Sequence, residues 1–159
     1  GQTLANIALG MGMEVLPVDL VIKSANIPVG PKSANLNIEL NVVGMDEMLE
    51  KADYISLHVP STDKAILGAE EMKKMKPGVV LVNTARGGSI DEEALIEHIN
   101  TGHVKGAGLD VFVSEPTPRE DLLALEALSL SPHIGASTAE AQEKIGIELA
   151  DQIIDYLNN

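Results

Sequence analysis

The stretch VLVNTARGGSIDEEAL, residues 80–95, joins an apolar strand to the start of a helix. The strand predicted over GVVLVNT (78–84) lacks a polar face, which is typical of a strand buried on both sides. Asp91 is predicted to cap a helix that ends at Gly102, since its carboxylate can accept hydrogen bonds from the free first-turn amides. A strand, a turn and a helix in this order are the repeating unit of a parallel sheet crossed by helices.

The same alternation is predicted along most of the chain. The predicted strands are MEVLPVD (13–19), one around IELNVV (38–43), YISLHVP (54–60), GVVLVNT (78–84), KGAGLDVF (105–112) and LSLSP (128–132). The predicted helices lie around residues 4–11, 44–53 with Asp46 as N-cap, 69–75, 91–102, 119–126 and 141–157. Residues 20–43 are the least regular part. This order predicts a doubly wound α/β fold, a Rossmann-like parallel sheet covered on both faces.

Composition restricts the possible functions. The chain of 159 residues has the length of one domain, and no apolar run approaches the roughly 20 residues that span a membrane, so we expect a soluble, cytoplasmic protein. Its formal charge of −13 repels phosphate backbones, which argues against a nucleic-acid partner. Cysteine is absent and the four histidines are far apart, so no metal site is expected.

Polar and special residues follow the predicted strands where those strands end. In sheets of this class, ligands bind beyond the carboxyl ends of the strands, so these residues are expected to share one edge. They are Asp19, His58 to Pro60, Thr84 to Arg86, Asp110, and Pro132 to Gly135.

Three of these positions have side chains suited to chemistry, although each also has a structural interpretation. The planar guanidinium of Arg86 can bind a carboxylate through two parallel hydrogen bonds, or simply cover a turn. His133 can hold a proton near neutral pH beside a carboxylate such as that of Glu115, or mark a helix entry that Ser137 or Thr138 caps. Asp19 can accept hydrogen bonds from a ribose, or stabilise a turn.

The motifs LHVP, NTARGG, GAGLDVF and PHIGASTAEAQE occur in this order, and together they carry a resemblance. From Gly1 to about Ile154 the chain resembles the nucleotide-binding domain of the D-isomer-specific 2-hydroxyacid dehydrogenases. The resemblance implies that Arg86 binds the carboxylate and keto oxygen of the substrate. It also implies that His133 is the acid/base and that Glu115 pairs with it.

The resemblance also implies the cofactor NAD and the residues that contact it. Asp19 would take the ribose and Asp110 the nicotinamide side. The full set of implied cofactor contacts is Gly1, Asp19, Pro60, Thr84, Ala85, Arg86, Asp110, His133, Ile134, Gly135 and Ala136. The implied partners are a small 2-hydroxy or 2-keto acid and a second copy of the chain, paired through the nucleotide-binding domain.

The chain also departs from the family pattern. The first strand and the front of the glycine loop are missing, so residues 1–159 are interpreted as an incomplete NAD-binding domain without its substrate domain. The implied activity is hydride transfer between nicotinamide and a D-2-hydroxy acid, with 3-phosphoglycerate the leading substrate and glyoxylate, hydroxypyruvate or another 2-keto acid the alternatives. A non-catalytic nucleotide-binding or dimerisation module, or a purely structural fragment, remains a different class of interpretation.

Overall fold

A computed structural model describes residues 1–158 of the chain, apart from the side chain of Lys32. The helices are α1 Gln2–Gly10, α2 Met45–Lys51, α3 Ala69–Lys74, α4 Glu92–Asn100, α5 Glu120–Leu123 and α6 Ala139–Asn158. The strands are β1 Ser24–Val29, β2 Leu36–Asn41, β3 Tyr54–Leu57, β4 Val79–Asn83, β5 Val104–Leu109 and β6 Leu128–Leu130.

The centre of the molecule is a parallel sheet of four strands in the order β3-β4-β5-β6. A helix connects each strand to the next: α3, then α4, then α5. Neighbouring helices also contact one another, α2 with α3, α3 with α4 and α4 with α5. Because right-handed crossovers that always step in the same direction place their helices on one side, these helices form a single layer. The predicted α/β class with a Rossmann-like parallel sheet is confirmed.

The two faces of the sheet are buried to different extents. In β4, Val79, Leu81 and Asn83 are buried, whereas Val80 and Val82 between them are half-buried. The buried face packs against the helix layer to form the hydrophobic core, whose fully enclosed members include Leu49, Leu67, Met72, Leu81, Leu95 and Leu122. The expectation of helices over both faces is therefore met on one face only among the described residues.

The N-terminal part differs from the prediction. Residues 13–19 form no strand, so the predicted strand MEVLPVD is wrong. The segment runs beside the core, where Leu16 and Val18 pack, and the Pro17 carbonyl accepts a hydrogen bond from the amide of Val43. No neighbouring strand in the described residues supplies the ladder of hydrogen bonds that a strand requires. Instead, β1 and β2 form an antiparallel hairpin, of which β2 overlaps the strand predicted around IELNVV.

Most helix ends lie near the predicted residues, with two clear differences. Asp91 caps α4 by accepting hydrogen bonds from two first-turn amides, as predicted, but the N-cap of α2 is Gly44 rather than Asp46. Helix α5 has only four residues instead of the eight predicted. Helix α6 forms over its full length, yet none of its residues is buried.

Within the described residues, no helix combines the length and apolar character needed to cross a membrane.

Candidate active site

Three loops leave the sheet side by side at the carboxyl ends of β4, β5 and β6. The last residues of these strands, Asn83, Leu109 and Leu130, are register partners. The following segments are the arginine turn (residues 84–91), the acidic loop (residues 110–119) and the histidine loop (residues 131–138). Parallel register therefore brings the loops that carry Arg86, Glu115 and His133 to one edge of the sheet, although these residues are far apart in sequence.

The arginine turn is held by Asn83, a buried side chain that the sequence analysis did not select. Its Oδ1 accepts a hydrogen bond from the amide of Ala85 at 3.1 Å, and its Nδ2 donates one to the carbonyl of Arg86 at 2.9 Å. Arg86 itself is exposed, and its guanidinium donates to the carbonyl of Ala85 at 2.6 Å. The Asn in NTARGG was the available signal, since Asn is a frequent side-chain anchor of turns.

The arginine turn touches the acidic loop at Gly87. A Cβ atom at Gly87 would lie 1.8 Å from the carbonyl oxygen of Phe112, so only glycine permits this approach of two backbones. Buried Glu92 adds a second link, because its Oε1 accepts a hydrogen bond from the amide of Val113 at 2.8 Å. The two loops are thus fixed relative to each other by direct contacts.

His133 and Glu115 form a hydrogen-bonded pair. The distance from His133 Nδ1 to Glu115 Oε2 is 2.7 Å, and Glu115 Oε1 accepts a further hydrogen bond from the amide of Phe112 at 2.9 Å. The bond to His133, and then the bond from this amide, lower the pKa of Glu115, so the carboxylate is charged at neutral pH. A carboxylate only accepts, so Nδ1 carries the hydrogen and Nε2 is left for a ligand.

The backbone at His133 has a positive φ of 54°, which residues other than glycine rarely adopt. Asp110 maintains the histidine loop in this conformation. Its buried carboxylate accepts hydrogen bonds from the Ser131 hydroxyl, the Ile134 amide at 3.0 Å and the Gly135 amide at 2.8 Å. These bonds, with that of Ser131 the largest cause, lower the pKa of Asp110. Because both oxygens are used within the protein, the structure shows Asp110 supporting the loop; its contact with nicotinamide stays a prediction.

The other predicted cofactor residues lie at the surface. Gly1 is the N-cap of α1, no side chain caps the first turn, and the Cβ position at Gly1 is 3.8 Å from the His58 side chain after β3. Asp19 is exposed, and hydrogen bonds from the amides of Val21 and Ile22 lower its pKa. Pro60, Thr84, Ile134, Gly135 and Ala136 are exposed, and Ala85 is half-buried.

These features fit a dinucleotide. Uncapped amides at the positive end of a helix bind phosphate groups, and an ionised Asp19 can accept hydrogen bonds from ribose hydroxyls. Within the described residues no cluster of three or more potential ligands could hold a metal ion. A cavity of about 320 Å³ adjoins the His133–Glu115 pair and is otherwise lined mainly by apolar side chains and prolines.

The parallel sheet and the polar groups at its carboxyl edge define a dinucleotide-binding α/β domain. The sequence profile of the "D-isomer specific 2-hydroxyacid dehydrogenase, NAD binding domain" family matches residues 1–135. The chain therefore belongs to the D-isomer specific 2-hydroxyacid dehydrogenase family, as its NAD-binding domain.

Similar proteins include enzymes with different substrates. The chain is 44% identical to a hydroxypyruvate reductase of Thermotoga maritima, matching over 99% of this chain and 49% of that protein. It is 40% identical to a D-3-phosphoglycerate dehydrogenase of Mycobacterium leprae, over 96% of this chain and 28% of that protein. A solved acyclic imino acid reductase in complex with NADPH and D-Arg shares 32% identity with a TM-score of 0.82, over 99% of this chain and 48% of that one. The chain thus spans about half or less of the length of these relatives.

Proposed function

We propose that this domain belongs to an NAD-dependent oxidoreductase that interconverts a small D-2-hydroxy acid and its 2-keto acid. The observation that supports this proposal best is the His133–Glu115 pair, 2.7 Å apart, which joins the histidine loop to the acidic loop beside the turn that carries Arg86. Reduction of a keto acid requires a cation that binds the carboxylate, a donor that protonates the keto oxygen, and a site that holds the hydride-donating cofactor.

Arg86 binds the acid substrate in this proposal. Its guanidinium is exposed, so it is free to turn from its own backbone toward a ligand. A bidentate bond to the carboxylate, with one N–H shared with the keto oxygen, would orient the carbonyl carbon and polarise it.

His133 transfers the proton. When bound, NADH supplies a hydride to the carbonyl carbon of the substrate. The protonated Nε2 of His133 gives its proton to the keto oxygen as the C–O double bond becomes a single bond, and the imidazole then recovers a proton from solvent. The charged carboxylate of Glu115 accepts the hydrogen bond from Nδ1 and so fixes the ring with Nε2 available to the substrate.

Several groups of this chain would hold the cofactor. The first-turn amides of α1 would bind the pyrophosphate and Asp19 the ribose, where its charge would disfavour a 2′-phosphate. Pro60, Thr84, Ala85 and the backbone of residues 134–136 line the remainder of the cofactor.

We also propose which D-2-hydroxy acid is the substrate. Several similar proteins are D-3-phosphoglycerate dehydrogenases, at 40–41% identity, so we propose 3-phosphoglycerate, the substrate that would place the enzyme in serine biosynthesis. Hydroxypyruvate and glyoxylate are the alternatives, and the 44% identity to a hydroxypyruvate reductase supports the first of them. We further propose that residues 1–159 are one domain of a longer cytoplasmic enzyme that pairs as a homodimer and carries its substrate domain in the remaining length.

The test measures the oxidation of NADH through its absorbance, in the presence of the full-length protein and one of three substrates: 3-phosphohydroxypyruvate, hydroxypyruvate or glyoxylate. We expect turnover with at least one of the three, and the highest kcat/KM identifies the substrate. The chain of residues 1–159 alone is expected to show little or no turnover. Tight NADH binding by the full-length protein without turnover of any D-2-hydroxy or 2-keto acid would favour a non-catalytic nucleotide-binding module.

A further inference from the structure

We infer that Asn83 is the positioning residue of the site, and that its side-chain amide places Arg86 where the guanidinium can act together with His133. This inference rests on the proposed function and adds a residue to it. Asn83 is the last residue of β4 and only 2% exposed, so it reaches no substrate or cofactor itself.

The hydrogen bonds of Asn83 account for its burial. A buried amide group without partners is costly, and here both ends are used within one turn, by the Ala85 amide and the Arg86 carbonyl. These two bonds determine the backbone conformation of residues 84–86, and with it the point from which the Arg86 side chain starts. An aspartate at position 83 would keep the acceptor but would place an oxygen against the Arg86 carbonyl.

The main chain of Asn83 connects the same turn to the other half of the site. Its carbonyl accepts a hydrogen bond from the amide of Asp110 at 3.0 Å, and the Asp110 carboxylate in turn holds the amides of Ile134 and Gly135 next to His133. A continuous chain of hydrogen bonds thus runs from the Arg86 turn through Asn83 and Asp110 to the histidine loop. This main-chain link does not depend on the side chain at position 83, so a substitution there is expected to act on the Arg86 turn, where a small displacement of the guanidinium lowers the rate.

The experiment is a double-mutant cycle in the full-length protein, with Asn83→Asp and Asn83→Ser each made in the wild-type and Arg86→Ala backgrounds. Serine is included because it is too short to bridge both groups yet carries no buried charge. In the wild-type background we expect kcat/KM for the keto acid to fall by up to about 100-fold, mainly through KM, with the Kd for NADH unchanged. In the Arg86→Ala background neither substitution should lower kcat/KM further, because the group that Asn83 positions is already gone.

Asn100→Ser and Asn100→Asp are the matched controls, since Asn100 is exposed at the far end of α4, and they should leave the kinetics unchanged. If the Asn83 variants match the wild type, or lower kcat/KM equally in both backgrounds, the positioning role is wrong while the proposed function stands. If Arg86→Ala itself has no effect, the proposed role of Arg86 fails first.

Discussion

Gly87 has the least room for a side chain among the glycines of the described residues, because a Cβ atom would lie 1.8 Å from the Phe112 carbonyl oxygen. Gly88, the next residue, has a φ of 80° but nothing within 4 Å of its Cβ position. We expect Gly87→Ala to lower the free energy of unfolding by more than about 3 kcal/mol, since two backbones must separate. Gly88→Ala should cost about 1–2 kcal/mol from backbone strain alone. Denaturant unfolding of both variants measures the difference. Equal losses in the free energy of unfolding would contradict the contact between Gly87 and the Phe112 carbonyl.

Asp110 should make the stability of the domain depend on pH. Its pKa is lowered in the folded state from a reference value of 3.8, so its stabilising effect is complete above that value. The effect is lost as the pH falls through the lower folded pKa. We expect Asp110→Asn to reduce the free energy of unfolding by about 1–3 kcal/mol at neutral pH, because one of the two acceptor oxygens becomes an NH2 group that cannot accept a hydrogen bond.

The difference in the free energy of unfolding between wild type and Asp110→Asn should therefore shrink as the pH falls below the folded pKa of Asp110. Asp63→Asn, at an exposed position, is the control and should show no such convergence. A difference that stays constant with pH would show that the Asp110 carboxylate is not the group responsible.

Individual site residues could be predicted from the sequence where they stand in a recognisable motif or at a predicted strand end. Arg86 and His133 stand at predicted strand ends, and Glu115 was selected because it precedes His133 by one strand exit. Asn83 was missed, although it lies inside a quoted motif. The partners of a buried amide depend on how the turn folds back, and spacing along the chain does not contain that information.

At the scale of elements, α6 and α4 provide a direct comparison of two helices. Leu149 in α6 is 55% exposed, whereas Leu95 in α4 is completely buried. We expect Leu95→Ala to lower the free energy of unfolding by about 2–5 kcal/mol, the usual cost of a cavity in a core. Leu149→Ala should change it by less than about 0.5 kcal/mol, as for other surface substitutions.

Denaturant unfolding at several protein concentrations completes the comparison of these two helices. A large loss in the free energy of unfolding for Leu149→Ala would contradict the exposure of α6. If that loss also grew with protein concentration, the apolar residues that α6 carries at intervals of four would form a contact between copies of the chain; they are Ala141, Ile145, Leu149, Ile153 and Leu157.

Element type was predicted best where the apolar pattern was long or a cap was clear. Helix α4, with Asp91 before it, was predicted almost to the residue, whereas the strand over residues 13–19 was wrong. An extended apolar segment becomes a strand only when another strand lies beside it, and that depends on tertiary structure. The eight-residue prediction for α5 failed because apolar periodicity does not reveal where a short helix ends.

At the scale of the whole molecule, the alternation of strands and helices was sufficient to predict a parallel α/β sheet. The order β3-β4-β5-β6, which steps in one direction, was not predictable, because local patterns do not specify which strands are neighbours. The meeting of three loops at one edge follows from that order. The candidate site is thus a property of the sheet as a whole, and its residue types alone do not establish it.

In the proposed reaction of the full-length protein, His133, held by Glu115, transfers the proton. His133→Asn tests this claim most directly, because asparagine tolerates the positive φ found at this position but cannot act as an acid/base near neutral pH. The measurement is kcat for keto acid reduction alongside the Kd for NADH. We expect a fall in kcat of about 10²- to 10⁴-fold with the Kd for NADH unchanged. An unchanged kcat in the variant would contradict it.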